Sequence, residues 1–276
     1  MTQTFTFFTG EQLAYERCGD AAQPLLVLVH PLGMNRGVWA AMVPALSQQF
    51  QVLTLDLPGH GDSSAWVGKS LRVADLANMV LALVDDLGQA AFHYVGTSIG
   101  GAIGQALLQI APERLLSTTL TNTAPKIGTK EAWLSRAAAV RVQGLAHMAK
   151  DLVPRWFAAV FLQAQADVVA DWVQRLAQMD DESYAQLCEA LAYFEGSQAW
   201  AQYVDQPVML MAGQDDAAMP LATMQAMAAA QPWAKLMVLP AGHVPSVEHP
   251  QAFLQALWPV LTATEANNVL AEGDAS

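Results

Sequence analysis

YVGTSIGGAIGQ, residues 94–105, places a serine directly after an apolar run and directly before a helical pattern, with glycines two positions to either side. A Gly-x-Ser-x-Gly bend means little in a loop, but much where a strand turns sharply into a helix. In that second setting Ser98 stands on a strained turn, and Gly96, Gly100 and Gly101 are small because side chains there would collide. The helix that follows aims its free N–H groups and its positive dipole end at the serine oxygen, favouring a developing negative charge.

Working outward, short runs rich in Val, Leu and aromatics predict strands at 5–8, 13–18, 25–30, 51–56, 92–97, 115–120, 207–212 and 235–240. Several are apolar on both faces, which suits central strands of a parallel sheet covered by helices on each side. Helical patterns fall at 38–48, 71–87, 100–110, 218–230 and 250–262. This alternation predicts an α/β fold: a mostly parallel eight-stranded sheet, doubly wound, with helices on both faces. It breaks after residue 120. From 125 to 200 the chain is Ala-rich, helical in period and dotted with Trp133, Met148, Trp156, Phe157, Phe161, Trp172, Tyr193 and Phe194, predicting a helical lid inserted after strand 6. The expected organisation is a core of residues 1–124 and 201–262, a lid of residues 125–200, and a flexible tail over 263–276.

Of the 276 residues 53% are hydrophobic and only 14% charged, enough to build a sizeable core and to exclude wholesale disorder. A net charge of -12 would repel nucleic acids and anionic membrane surfaces, so neither is an expected partner. The start, MTQTFTFFTG, lacks a basic leader, and there is no uninterrupted 18-residue apolar run; a cytoplasmic location is expected. Cys18 and Cys188 stand outside any CxxC spacing and are expected to be buried small apolar residues. Residues 125–160 invert the overall charge: Lys126, Lys130, Arg136, Arg141, Lys150 and Arg155 face only Glu131 and Asp151.

A serine hydroxyl is a weak nucleophile near neutral pH and needs a base held by an acid. His30, His60, His93, His147 and His249 all have adequate readings as turn, core or surface residues. His243, in LPAGHVPSVEH, follows the last predicted strand by a short glycine-containing loop, at the same sheet edge as Ser98, and is the expected base. MAGQDDAAMP places Asp215 and Asp216 just past the preceding strand, and either could reach His243. Asp216 is preferred from the GxxD spacing with a proline four residues on, which leaves Asp215 as a loop charge. The oxyanion needs two backbone donors: Ile99 N–H after the serine, and one from VHPLGMN, where Leu32 is expected because Pro31 has no N–H.

HPLG, DLPGHGDS, GTSIGG, GQDDAAMP and AGHVPSVEHP together resemble the α/β-hydrolase superfamily, over nearly the whole chain to about residue 260, in the order Ser98, Asp216, His243. A narrower likeness, through TNTAPKIGTKEAWLSRAAAVRVQGLAHMAKDLVPRWF (121–157), is to the 3-oxoadipate enol-lactonases of aromatic catabolism. That resemblance implies opening of a carboxylate-bearing enol-lactone with no metal or organic cofactor, and it makes Trp133, Arg136, Arg141 and Trp156 the candidate substrate-binding residues. Guanidinium binds a carboxylate bidentately, and the cationic stretch fits an anionic substrate. Three positions depart from the enol-lactonase pattern, His30-Pro31, Ala217 and Val244-Pro245, and all touch the expected pocket. The other readings are a broad carboxylesterase or another lactonase and, in a different class, a hydrolase-like binding protein without turnover.

Overall fold

LLVLV (Leu25–Val29) and QVLTL (Gln51–Leu55) have no exposed position, so each can only lie in a sheet covered on both faces. A computed structural model describes residues 1–273 except 8, 69, 197–205 and 232–233. It places those two strands side by side in an eight-stranded sheet.

The strands are β1 (Gln3–Thr6), β2 (Gln12–Cys18), β3 (Leu25–Val29), β4 (Gln51–Leu55), β5 (Phe92–Thr97), β6 (Leu115–Thr121), β7 (Val208–Gly213) and β8 (Lys235–Leu239). Their order is β1-β2-β4-β3-β5-β6-β7-β8. β1 and β2 join antiparallel, β2 joins β4 antiparallel, and every later pairing is parallel.

The helices are α1 (Val43–Leu46), α2 (Val73–Asp86), α3 (Ile99–Ile110), α4 (Lys130–Gln143), α5 (Leu145–Leu152), α6 (Ala159–Ala164), α7 (Ala166–Ala177), α8 (Asp181–Ala192), α9 (Leu221–Ala230), α10 (Pro245–Glu248) and α11 (Pro250–Gly273). α3 packs on β5 and β6 and against α2. α11 reaches β6 and β8, and its Phe253 and Trp258 meet Trp39 and Phe50. Because β3 has β4 on one side and β5 on the other, chain progress reverses direction between β3 and β5. The loops leaving those strands therefore part and open a crevice at their carboxyl ends, where ligands bind in open α/β sheets.

Several expectations are corrected. The helix expected over 38–48 is a 3₁₀ turn, Arg36–Trp39, followed by the short α1, because Pro44 has no N–H to continue a helix through it. α9 begins at Leu221 rather than 218, since Pro220 serves as its N-cap. α11 runs to Gly273, through residues expected as a flexible tail from 263; Ala, Glu and Leu, present in TATEANNVLAEG, are good helix formers. Cys188 is buried, with its thiol pushed up to about 12 by desolvation, but Cys18, at the end of β2, is exposed. The stretch between β6 and β7 is helical, from α4 to α8, and its expected far end at residue 200 lies outside the described residues.

Candidate active site

Ser98 is the hinge between β5 and α3 and has φ 58° and ψ -114°, left-handed backbone that a non-glycine residue adopts only where its surroundings force it. The forcing contacts are backbone. A Cβ on Gly96 would overlap the carbonyl of Gly100, and one on Gly100 would overlap the carbonyl of Val29 at the end of β3. The Tyr94 hydroxyl donates to the Gly100 carbonyl at 2.6 Å, and Ser98 N–H donates to the Thr121 carbonyl at 2.9 Å. Ser98 is 7% exposed, and its hydroxyl caps no helical N–H.

One residue later in β6's exit, Asn122 also has left-handed backbone, φ 48°. Its side-chain oxygen accepts from Gly213 N–H at 2.8 Å, while its amide donates to the carbonyls of Gly242 (3.1 Å) and His243 (2.9 Å). Consecutive residues, Thr121 and Asn122, thus hold the backbones of Ser98 and His243. Asparagine is suited to this post: it tolerates φ above zero and carries both a donor and an acceptor. The reading from sequence missed it, although an Asn directly after a buried strand was the available signal.

The imidazole of His243 meets the Asp216 carboxylate, Nδ1 to Oδ2, at 2.6 Å. The other Asp216 oxygen accepts from the N–H groups of Ala218 and Met219, both at 2.8 Å, so the carboxylate cannot swing away. Its neighbour Asp215 points to solvent. With Nδ1 donating to a carboxylate, the Nε2 lone pair is free to take a proton. His243 N–H donates to the Trp156 carbonyl at 2.9 Å, tying this loop to the helical insertion.

The loop leaving β3 carries Leu32. His30 accepts Leu57 N–H at Nε2 (2.9 Å), so its Nδ1 bears the proton and donates to the Pro31 carbonyl (2.8 Å). His60 does the same from the next loop, accepting Gly33 N–H at Nε2 (3.1 Å) and donating from Nδ1 to the Pro58 carbonyl (2.9 Å). Burial pushes the two imidazoles down to about 4 and about 3, so both are neutral at pH 7 and Leu32 sits between two fixed supports. Below them Asp56 accepts the main-chain N–H groups of Arg36 (2.7 Å) and Asp62 (3.0 Å) and pairs with the Arg36 guanidinium. Since the end of β3 abuts Gly100, the Leu32 and Ile99 amides lie on adjoining chain segments at the crevice.

The four substrate-binding candidates separate. Trp156 is at the site: besides its carbonyl on His243, its ring would touch a Cβ on Gly33 at 2.9 Å, with the Tyr184 ring at 3.2 Å, which is why that φ 82° position is glycine. Arg136 acts on the hydroxyl of buried Tyr184, opposing the upward push of burial on its pKa, and has no carboxylate within 4 Å among the described residues. Its guanidinium lies over the Trp133 ring, 5.6 Å from the centroid, and Trp133 gives its indole N–H to the Ile127 carbonyl. Arg141 is corrected. It binds Glu182 at 2.7 Å through two nitrogens and Glu189 at 2.5 Å, stitching α4 to α8 with no donor pair left for a substrate. Of the other cations at 125–160, Lys126 faces Glu195 at 3.8 Å and Lys130 lies over the Tyr193 ring, 4.4 Å from its centroid. Among the described residues no group of three or more His, Cys, Asp or Glu side chains is placed to hold a metal ion, and no helix is long and apolar enough to cross a membrane.

The family model for the alpha/beta hydrolase fold matches residues 24–250, which span every element described above from β3 to α10. The chain belongs to the α/β-hydrolase fold family. Within it, 3-oxoadipate enol-lactonase 2 of Acinetobacter baylyi is 36% identical over 249 residues, covering 90% of this chain and 92% of the relative. The crystal structure of the enol-lactonase from Burkholderia xenovorans superposes with a TM-score of 0.88 at 31% identity, covering 94% of this chain and all of that one. A thermophilic esterase from Thermogutta terrifontis follows at TM-score 0.87 and 26% identity, covering 96% and 99%. This α/β-hydrolase is a hydrolase acting on ester bonds.

Proposed function

We propose that the protein is a serine hydrolase that opens the lactone or ester of a small carboxylate-bearing substrate through an acyl-enzyme, with 3-oxoadipate enol-lactone as the substrate. The observation that carries this reading is the 2.6 Å Asp216–His243 pair on a loop that Asn122 fixes beside the Ser98 turn. The similarity to two enol-lactonases supports the substrate class.

In this reading Ser98 Oγ attacks the carbonyl carbon as His243 Nε2 takes its proton, and the Leu32 and Ile99 amides receive the oxyanion; one such donor is worth about 3 kcal/mol of barrier. The C–O bond breaks, His243 returns the proton to the leaving oxygen, and in a lactone that oxygen stays tethered to the acyl group. Water then attacks the acyl-enzyme, giving its proton to His243, which passes it to Ser98 as the free acid departs. An enol leaving group becomes a ketone by tautomerisation. Trp156 walls the acyl side and Arg136 receives the substrate carboxylate, while α4–α8 act as the lid over the sheet edge.

Turnover of a carboxylate-bearing enol-lactone by Ser98→Ala and by His243→Ala should fall at least about 10⁴-fold in correctly folded protein. A fluorophosphonate probe should label wild type at Ser98 only. Retained turnover in either variant would end the serine mechanism, and folded wild type that hydrolyses nothing and resists the probe would make this a binding protein. A broad carboxylesterase is the second reading, favoured by the stacked Phe157–Phe161 rings (5.1 Å) next to Trp156 and by the neutralised Arg141. Preference for neutral p-nitrophenyl esters over the anionic lactone would select it.

A further inference from the structure

Five residues after His243 a carboxylate is buried that the reaction above does not use. Glu248, at the end of α10, accepts Gly242 N–H at Oε1 (2.8 Å) and Ala158 N–H at Oε2 (3.0 Å). Gly242 immediately precedes His243. Ala158 lies two residues past Trp156, whose carbonyl takes His243 N–H. The three segments are packed without slack: a Cβ on Gly242 would lie 2.7 Å from Ala158 N and 2.9 Å from Glu248 Oε1. Burial pushes this carboxyl up to about 7, with Asp216 and Asp215 adding like charge, and the two N–H bonds pull it back only in part. A charged group in such a place is costly, and a neutral side chain would hold the helix equally well. What only a carboxylate supplies is an acceptor at each of two oxygens, one for each chain segment.

We propose that Glu248 is a positioning residue for the His243 imidazole: its two oxygens bind the backbone before His243 to the insertion segment after Trp156, so that base and pocket wall keep one geometry. The proposal rests on His243 being the general base. An imidazole displaced by about 1 Å costs on the order of 100-fold in rate. Glu248 acts through His243 and Trp156 and touches no reacting atom.

Two substitutions break the clamp differently. Glu248→Gln keeps the size but turns an NH₂ toward one of the N–H donors. Ala158→Pro removes a single donor, at a residue whose φ of -63° proline adopts unstrained, after Phe157 in extended backbone (φ -121°, ψ 146°) that proline also requires. Both should lower kcat 10- to 100-fold, with KM for a small neutral ester within threefold. In E248Q the downfield proton resonance of the His243 Nδ1–H, arising from the 2.6 Å bond to Asp216, should move upfield or broaden. A residue with only a structural role would lower the melting temperature and leave kcat per folded molecule and that resonance unchanged. Unchanged kcat and resonance in folded E248Q overturns the proposal; should E248Q not fold, unchanged kcat in A158P overturns it. Full activity in H243A would remove the underlying mechanism instead, so the two failures are distinguishable.

Discussion

The carboxyl edge of the sheet and the helical insertion are assembled by different forces. At the edge, Ser98, Asp216 and His243 are each held by bonds that involve the main chain: Ser98 N–H donates to the Thr121 carbonyl, the Asp216 carboxylate accepts from Ala218 and Met219 N–H, and the His243 carbonyl accepts from the Asn122 amide, with glycines where no Cβ fits. In the insertion, α4 and α8 are joined by Arg141 with Glu182 and Glu189, while Arg136 and Lys130 lie over the rings of Trp133 and Tyr193. A main-chain partner survives substitution of its own side chain, whereas a contact between two side chains is lost when either is changed. On the proposed mechanism, the chemistry is built on the part least open to drift and the choice of substrate on the part most open to it. The same proposal predicts that substitutions at Arg136 or Trp156 alter selectivity without disturbing the Ser98 turn.

The sharpest way to break this division is at the acid. Asp216→Asn should lower kcat about 10⁴-fold, because the imidazole loses the partner that holds its tautomer, while Asp215→Asn should stay within twofold. Steady-state kinetics on both variants decide it, and a larger loss at Asp215 would transfer the acid's role.

The next effect is on stability. His30, His60 and His93 are buried with imidazoles pushed down to about 4, 3 and 4. Each is neutral when folded and protonates near 6.5 when unfolded, so the unfolded chain gains protons first and stability falls as pH drops from 6.5 toward 4. Glu248, pushed up to about 7, has the opposite sign and recovers part of the loss between pH 7 and 4.5. The balance is a loss of the order of 3 kcal/mol between pH 7.5 and 5. Urea midpoints should show it, and E248Q should steepen the fall. The insertion holds one histidine, exposed His147, so an equal loss traced to α4–α8 would contradict the contrast between the two regions.

Smaller effects belong to the insertion. Arg136→Ala should raise KM for the anionic lactone about 10- to 30-fold, as expected for losing a charged hydrogen bond, with neutral esters unaffected. Equal effects on both substrates would show that Arg136 shapes the wall without reading charge. Arg141→Ala should leave kcat and KM within twofold and cost under about 1 kcal/mol of stability, since its partners are largely exposed.

What could be read from the chain follows the same boundary. The buried strands and the β5–Ser98–α3 turn were legible because period, burial and glycine spacing are local. Asp216 was separable from Asp215 by its spacing to Pro220, and Asp216 is the one that meets His243. Asn122 and Glu248 were harder to read: an Asn directly after a buried strand is a weak signal, and the partners that give each residue its role, Gly213 and His243 for Asn122 and Ala158 for Glu248, lie about 90 to 120 residues away. Nor could Arg136 be told from Arg141. Five positions apart on α4, they face different neighbours, and only the packing of α8 decides which one meets Glu182 and Glu189.

The bond from His243 N–H to the Trp156 carbonyl also bears on how such enzymes can be recombined. A chimaera that takes α4–α8 wholesale from a donor hydrolase would import that donor's main-chain path at 156–158, and a different path would shift the carbonyl that receives the His243 N–H. Splice points that retain residues 153–158 from the host, exchanging only what precedes and follows them, would keep the His243 loop anchored while the rest of the insertion is replaced.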